Sequence, residues 1–157
     1  MYLAAGGPRS AELAGRVADG MIGVVPDHRA VEAFETAGGH GKPRLGQVHV
    51  CWAEDEAEAR RTAARYWPRA ALGGAALSDL ARPEDFEQAL SRLSGRGVED
   101  AVADVVVCGP DPGRHVAGIA RFVAAGFTEV YVHQVGPDQE GFLAFFDKQV
   151  RPRFETA

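Results

Sequence analysis

The segment Leu3-Ala4-Ala5-Gly6-Gly7-Pro8-Arg9-Ser10 carries the residue types that hold an anion. Gly6 and Gly7 let the backbone turn sharply and approach a bound group closely, and Pro8 suits the first position of a helix. The N–H groups that follow have no acceptor within the helix, and Arg9 adds a formal positive charge beside them. On spacing alone the same residues also suit an ordinary Gly-Pro turn. The five histidines are the next candidates for chemistry. His28, His40 and His115 fall in helix starts or loops and are expected to be solvated; none pairs at metal-ligand spacing, so no metal site is expected. His49, in a strand, reads as a satisfied inward or interface residue. His133, with Gln134 beside it near the end of the last strand, is placed to touch a ligand. Trp52 suits either a pocket wall or a cap on the core. Glu54, Asp55, Glu56 and Glu58 read as a charged helix start that complements the helix dipole, not as an acid/base pair.

The elements that must position these residues alternate between strand and helix. A strand stub at Tyr2 to Ala5 leads through the glycine turn into a helix from Pro8 to Ala18, whose apolar face is read as Leu13, Ala14, Val17 and Ala18. The apolar run Met21 to Val25 is a second strand, and Asp27 N-caps a helix carrying Val31, Phe34 and Ala37. Gly46 to Ala53 alternates as a strand, with Val48, Val50 and Trp52 on one face and Gln47, His49 and Cys51 on the other. Asp55 caps the next helix with Glu58 at capping-box spacing, and Pro68 ends it. From 68 to 103 the rhythm breaks into an Ala/Gly/Leu-rich loop and a helix from about Pro83, read as a helical insertion. Val105 to Cys108, the turn Gly109-Pro-Asp-Pro112 and a helix with Val116, Ile119, Phe122 and Val123 resume the pattern, and Gly126 closes that helix. A last strand, Glu129 to Val135, leads through Gly136-Pro-Asp-Gln139 into a helix whose Phe142, Phe145, Phe146 and Val150 form a core stripe.

Strands joined in this way are parallel, with right-handed crossovers. That leaves a barrel or an open sheet; the expected fold class is α/β, half of a TIM (β/α)8 barrel, because a flavodoxin-like sheet would begin with a complete buried strand and this chain opens almost at the end of one. In that fold ligands gather at the C-terminal strand ends, here Ala5 to Gly7, Val24-Val25, Trp52 and His133-Gln134. The 157 residues are one domain's worth, and a net charge of -5 argues against nucleic acid or an anionic membrane as partner. No basic-then-apolar leader opens the chain and no apolar run approaches the roughly 20 residues of a membrane span, so a cytoplasmic protein is expected. Cys51 and Cys108 lie outside any CxxC spacing and read as small buried hydrophobes.

Ala4-Ala-Gly-Gly-Pro-Arg-Ser10, Ala14-Gly-Arg16, Ala18-Asp-Gly20, Gly109-Pro-Asp-Pro112, Ala125-Gly-Phe127 and Val132-His-Gln-Val-Gly-Pro-Asp-Gln139, in this order, resemble the C-terminal half of the luciferase-like flavin and deazaflavin oxidoreductases. The nearest likeness is to the branch dependent on coenzyme F420 that includes glucose-6-phosphate dehydrogenase. The resemblance spans almost the whole chain. It implies a hydride-transferring oxidoreductase with coenzyme F420 as cofactor and FMN, in a luciferase-like monooxygenase, as the alternative. It also implies that Gly6, Gly7 and Arg9 contact the cofactor, with Ala4 and Ala5 lining the same edge; Val24, Trp52, His133 and Gln134, by their place at the strand ends, are the substrate-side candidates. The family's acid and base groups come from its N-terminal strands, so no catalytic residue is expected here. Val24 and Asp27 stand where the sugar-phosphate branch has a hydroxyl and a lysine, which makes glucose 6-phosphate an unsuitable substrate and favours a less charged, more apolar one. The expected partners are a missing N-terminal half-barrel or a second copy, in a homo-oligomer. A half-barrel that keeps the ligand turn without the chemistry is the competing class.

Overall fold

A computed structural model describes residues 1–93 and 97–155 of the chain. Two compact units emerge, one of Met1–Val48 and Val116–His133, the other of His49–His115 and Gln134–Ala157.

The first unit holds β1 (Tyr2–Ala4), α1 (Pro8–Val17), β2 (Gly20–Gly23), α2 (His28–Phe34) continued by a π-helical turn (Glu35–Gly39), and the start of β3 (Arg44–Cys51). Most of α7 (Pro112–Ala124) and β5 (Glu129–Gln134) completes it. The strands β1, β2 and β3 pair in parallel, with Leu3 beside Met21 and Gly23 beside Gly46, and β5 pairs with β3. Strand alternation sends Met21, Val48, Gly23 and Gly46 toward the helices, where Met21 and Val48 are buried. The two glycines lie under aromatic rings: a Cβ on Gly46 would come within 2.6 Å of the Phe122 ring, and one on Gly23 within 2.7 Å of Phe127. Those rings meet edge to face at 5.4 Å.

The buried side of α1 bears out the sequence reading at Ala14 and Ala18 and corrects it at Leu13 and Val17. Leu13 and Val17 are 46% and 57% exposed, whereas Ala11, Ala14, Gly15 and Ala18 are buried. A Cβ on Gly15 would overlap the carbonyl oxygen of Phe34, so α1 lies against α2 through its smallest residues. Lys42 Nζ then closes the end of α1, donating to Gly15 O and Ala18 O at 2.9 Å each. Gly126 has φ 96° and ends α7, as expected.

The second unit contains the end of β3, α3 (Glu56–Tyr66), a 3₁₀ turn (Pro68–Ala71), α4 (Gly74–Asp79), α5 (Pro83–Ser91), α6 (Val98–Ala103) and β4 (Val107–Cys108). After it come the start of α7, α8 (Gln139–Phe145) with a second π-helical turn (Phe146–Val150), and α9 (Pro152–Glu155). Val50 and Cys51 register with Val107 and Cys108 in parallel, and Cys51, Ala59, Ala63, Val102, Val106 and Cys108 form a buried cluster. Cys51 and Cys108 are unbonded and buried, as expected of small hydrophobes. Of the stretch read as an insertion, residues 94–96 lie outside the described residues; the rest holds short helices α4 and α6 that periodicity did not reveal. Val105 is 55% exposed and precedes β4, while Val106 N–H donates to Val102 O as a continuation of α6. The expected aromatic stripe is core: Phe142, Phe145 and Val150 are buried. Among the described residues no helix is long and apolar enough to cross a membrane.

Candidate functional site

In the first unit β1 stops at Ala4, and Ala5 N–H donates to Ile22 O at 2.8 Å, holding the chain to β2 just before the glycines. Gly7 is extended (φ 177°), and neither Gly6 nor Gly7 adopts a left-handed conformation. The chain bends at both glycines, as expected, but does so without the left-handed torsions that only glycine favours. What the glycines provide is room, since a Cβ on either would meet nothing within 4 Å. Ser10 braces the turn, with Oγ donating to Gly7 O at 2.9 Å and accepting from Gly7 N–H at 3.3 Å. The first helical bond is Ala11 N–H to Gly7 O, which leaves the N–H groups of Arg9 and Ser10 ahead of any i−4 acceptor. Arg9 and Ala4 are exposed, and Ala5 is buried. An open glycine shelf, a helix start and a nearby guanidinium can hold an anionic group.

Val24 follows β2 and is 51% exposed. Asp27 caps α2 by accepting from Arg29 N–H at 3.0 Å, as read from the sequence, and also takes Arg29 Nε and Nη2 at 3.1 and 3.2 Å. The Arg29 side chain holds the Asp27 carboxyl below the usual carboxylate range. His133, half-buried, stands near the end of β5 with Nδ1 3.3 Å from Gln47 Nε2. Gly6, Gly7, Arg9, Val24 and His133 thus belong to one unit, each beside the carboxyl end of one of its strands. His28 and His40 are exposed, as expected.

Trp52 and Gln134 belong to the second unit, where they are joined directly. Gln134 is 7% exposed; its Oε1 accepts from Trp52 N–H at 3.0 Å and its Nε2 reaches Asp138 O at 3.5 Å. The Trp52 ring stacks on Phe145 at 5.8 Å, and its Nε1–H is buried with no acceptor among the described residues. Gln139 braces the turn before α8 by donating to Gly136 O and Gln134 O, and Asp138 caps the helix through Gly141 N–H. Asp111 makes the matching bond to Gly113 N–H, yet of the two Gly-Pro-Asp turns only that of Gly109 has positive φ.

His115 overturns its expected solvation. It is 1% exposed, with Nε2 2.9 Å from Gly109 O and its ring edge-on to Phe145 at 5.1 Å. Burial pushes the imidazole pKa below its ordinary value. The histidine is the fourth residue of α7, on the side that packs inward once the Gly109 turn closes, a consequence the loop sequence does not show. His49 sits 5.5 Å from the Trp67 ring, consistent with a satisfied residue. The acidic run is structural: Asp55 caps α3 through Glu58 N–H, and Glu56 pairs with Arg60 and Arg114. Among the described residues no three His, Cys, Asp or Glu side chains gather as a metal site. Sequence reasoning did not single out Gln47 and Tyr131, which bond to each other at 2.9 Å; the i, i+2 spacing of Tyr131 and His133 opposite Gln47 is the signal that points to them.

Residues 1–129 match the family model described as luciferase-like monooxygenase. Relatives include the F420-dependent glucose-6-phosphate dehydrogenases of Microbacterium testaceum, 30% identical over 165 residues, and of Mycolicibacterium gilvum, 28% identical over 167. Each match covers 98% of this chain, and the chain spans about half, 48%, of their length. Among solved structures, an F420-dependent secondary alcohol dehydrogenase in complex with an F420-acetone adduct superposes with TM-score 0.75 at 18% identity, over 96% of this chain and 47% of that one. The coenzyme F420-dependent tetrahydromethanopterin reductase of Methanopyrus kandleri follows at 0.64 and 21%, over 98% and 50%. The parallel α/β fold is that of half a luciferase-like barrel, and the chain belongs to the luciferase-like monooxygenase family.

Proposed function

We infer that this chain is the cofactor-binding half of an oxidoreductase that uses coenzyme F420. The observation that carries the reading is the Gly6-Gly7 shelf at the start of α1, open where a side chain would stand and followed by the N–H groups of Arg9 and Ser10. The naming of the curated relatives as F420-dependent, over 98% of this chain, supports the choice of cofactor. Bound there, a deazaflavin supplies hydride transfer. The residues of this chain bind and orient: Gly6 and Gly7 admit the cofactor backbone-close, Arg9 neutralises its charge, and Ala4 and Ala5 line the edge. Val24 and His133 are assigned to the substrate side. Trp52 is assigned to the pocket wall, with Gln134 as the residue that ties its backbone in place.

The substrate in this reading is not glucose 6-phosphate. Val24 offers no hydrogen bond, and the Arg29 guanidinium nearby is engaged by Asp27, so a phosphate would lose its water without compensation. A small, weakly charged organic molecule suits the site better. The other half of the barrel, as further chain or as a second copy, supplies the acid and base groups, and the enzyme is a cytoplasmic homo-oligomer. The half-barrel alone binds without turning over.

FMN is the second reading, favoured by the family model and by a likeness, TM-score 0.57, to a Baeyer-Villiger monooxygenase solved in complex with FMN. Fluorescence titration separates the two. Saturable binding of F420 that FMN does not displace is expected; tighter binding of FMN would reverse the assignment. A steady-state assay of the whole enzyme with F420 and glucose 6-phosphate is expected to show no useful turnover, and rapid turnover at micromolar sugar phosphate would overturn the substrate reading.

A further inference from the structure

Glycine inside a helix costs stability unless torsion or space demands it, and at Gly141, the third residue of α8, the demand is for space. Gly141 does not adopt a left-handed conformation, yet a Cβ there would overlap Trp52 Cζ3 and Asp138 Oδ2. Asp138 caps α8 through its other oxygen, which accepts from Gly141 N–H at 2.8 Å, and the overlapping atom is the tip of a side chain that can turn aside. The indole has no such latitude. Trp52 N–H donates to Gln134 Oε1 at 3.0 Å, and the ring stacks on Phe145 at 5.8 Å and 28°. Phe145 stands four residues after Gly141, on the same face of α8, so the ring lies along that face from one to the other. Its Nε1–H is buried with no acceptor among the described residues, so packing, not a polar bond of the ring, decides where the indole lies. All of these residues belong to the second unit, and Trp52 is half-buried, which leaves part of the ring to a ligand at the carboxyl end of β3.

We propose that Gly141 is a positioning residue: by carrying no side chain it sets how deep the Trp52 ring lies against α8, and with it the room left beside the ring for the apolar part of a substrate. This rests on the assignment of Trp52 to the pocket wall and adds what that wall receives, an uncharged group flat enough to lie on an indole, and what fixes the wall's depth. Gly141 acts through Trp52. A methyl group at 141 lifts the Cζ3 edge of the ring off α8 and toward the ligand, so the space narrows without any change in the groups that line it.

The 1H–15N spectrum of the full chain carries two indole N–H peaks, one each for Trp52 and Trp67, and Trp52→Leu assigns them. Gly141→Ala is expected to move the Trp52 peak and leave that of Trp67 in place. Asp138→Ser, which keeps a capping oxygen on a shorter side chain, is expected to leave both where they are. A Trp52 peak unmoved by Gly141→Ala would show that Asp138 alone gives way, and would overturn the proposal. Urea unfolding reads the same contact by its sign. Alanine for glycine in an ordinary helix raises the midpoint, whereas Gly141→Ala is expected to lower it, and Trp52→Leu, which withdraws the ring, to give the loss back. Recovery by Asp138→Ser in place of Trp52→Leu, or by neither, would overturn the positioning. The ligand side is read with cyclohexanone, an uncharged ring. Its titration is expected to shift the Trp52 peak, with half-saturation raised about tenfold in Gly141→Ala and unaltered in Asp138→Ser. A Trp52 peak that moves in Gly141→Ala but never with the ketone would sink the reading of Trp52 as a wall. Equal affinity of the wild-type and Gly141→Ala chains for a ketone that does shift the peak would sink only the role of Gly141.

Discussion

Gly7→Val separates binding from folding, because the structure shows no conformational need for glycine at this position. Its φ of 177° is open to any residue and an added Cβ meets nothing within 4 Å, so neither strain nor a clash accompanies the substitution. Two smaller effects remain. Loss of glycine freedom in the unfolded chain stabilises by about 0.4–1 kcal/mol. Replacement of glycine just ahead of α1 by an apolar residue costs a similar amount, on the order of 0.5–1 kcal/mol, so the two nearly cancel. The folded chain should keep its urea midpoint to within the equivalent of about 0.5 kcal/mol. Binding is a different matter, since the isopropyl group would stand over the shelf that we assign to the cofactor. Displacing the ligand by even one methyl's width breaks its bonds to the N–H groups of Arg9 and Ser10, and a loss of at least about 1.4 kcal/mol, or tenfold in Kd, is expected. The control is Gly126→Val, at φ 96° and with its Cβ 3.0 Å from Val31 Cγ1; it should lower stability by roughly 1–3 kcal/mol without touching the shelf. Fluorescence titration with F420 and urea unfolding of both variants provide the comparison. An unaltered Kd in Gly7→Val, or a Gly7→Val chain less stable than Gly126→Val, would refute the reasoning.

The buried His115 should make the second unit acid-sensitive: its folded pKa lies below the ordinary 6.5, so the unfolded chain binds more protons in between, and stability present above pH 6.5 is lost as pH falls toward the folded value. In His115→Leu that slope should flatten in pH-resolved urea melts, while the lost bond to Gly109 O lowers stability at pH 8 by about 1 kcal/mol. Burial pushes the Cys51 thiol up to about 12 and that of Cys108 to about 11, so a disulfide reagent such as DTNB at pH 8 should label neither until urea is added; prompt labelling of the native chain would contradict the packing. Arg60 touches Asp100 at 2.6 Å and lies near Glu56 and Glu99, but every partner is half exposed; Arg60→Ala should cost no more than about 1 kcal/mol, and less in high salt. Light scattering of the chain alone should find a dimer or larger species, and a well-behaved monomer would remove the need for a covering half.

The alternation of strands and helices, the caps at Asp27 and Asp55 and the aromatic stripe of α8 were all legible because each is local: a carboxylate at a helix start, or a period of 3.6 or 2. The buried side of α1 was legible only in part: periodicity selected Ala14 and Ala18, which are buried, but with them the bulkier Leu13 and Val17, whereas the contact with α2 is decided by how closely two backbones approach, which selects Ala11 and Gly15 in their place. His115 was hidden for a related reason. A polar residue just after a Gly-Pro-Asp turn reads as solvated until the positive φ of Gly109 folds the turn's own carbonyl back to receive it. At the candidate site the bend and the open approach at Gly6 and Gly7 follow from the residue type, whereas the extended φ of Gly7 does not. Gln134 was named for a ligand, yet its carboxamide is occupied by Trp52 and Asp138, a long-range pairing that no single stretch of sequence displays.

Gly23 and Gly46 sit side by side in register under the rings of Phe127 and Phe122, and those rings touch one another. Four positions far apart in the chain therefore share one fixed volume, and none of them can drift alone. An alanine at 46 would need a smaller residue at 122, which would loosen the contact with Phe127 and so relax the demand on 23. Substitutions here should be strongly epistatic: Gly46→Ala and Phe122→Leu each destabilise, but the pair should recover about 1–3 kcal/mol relative to their sum. In descent, glycine at these two strand positions and a phenyl at these two helix-side positions should be gained and lost as a set.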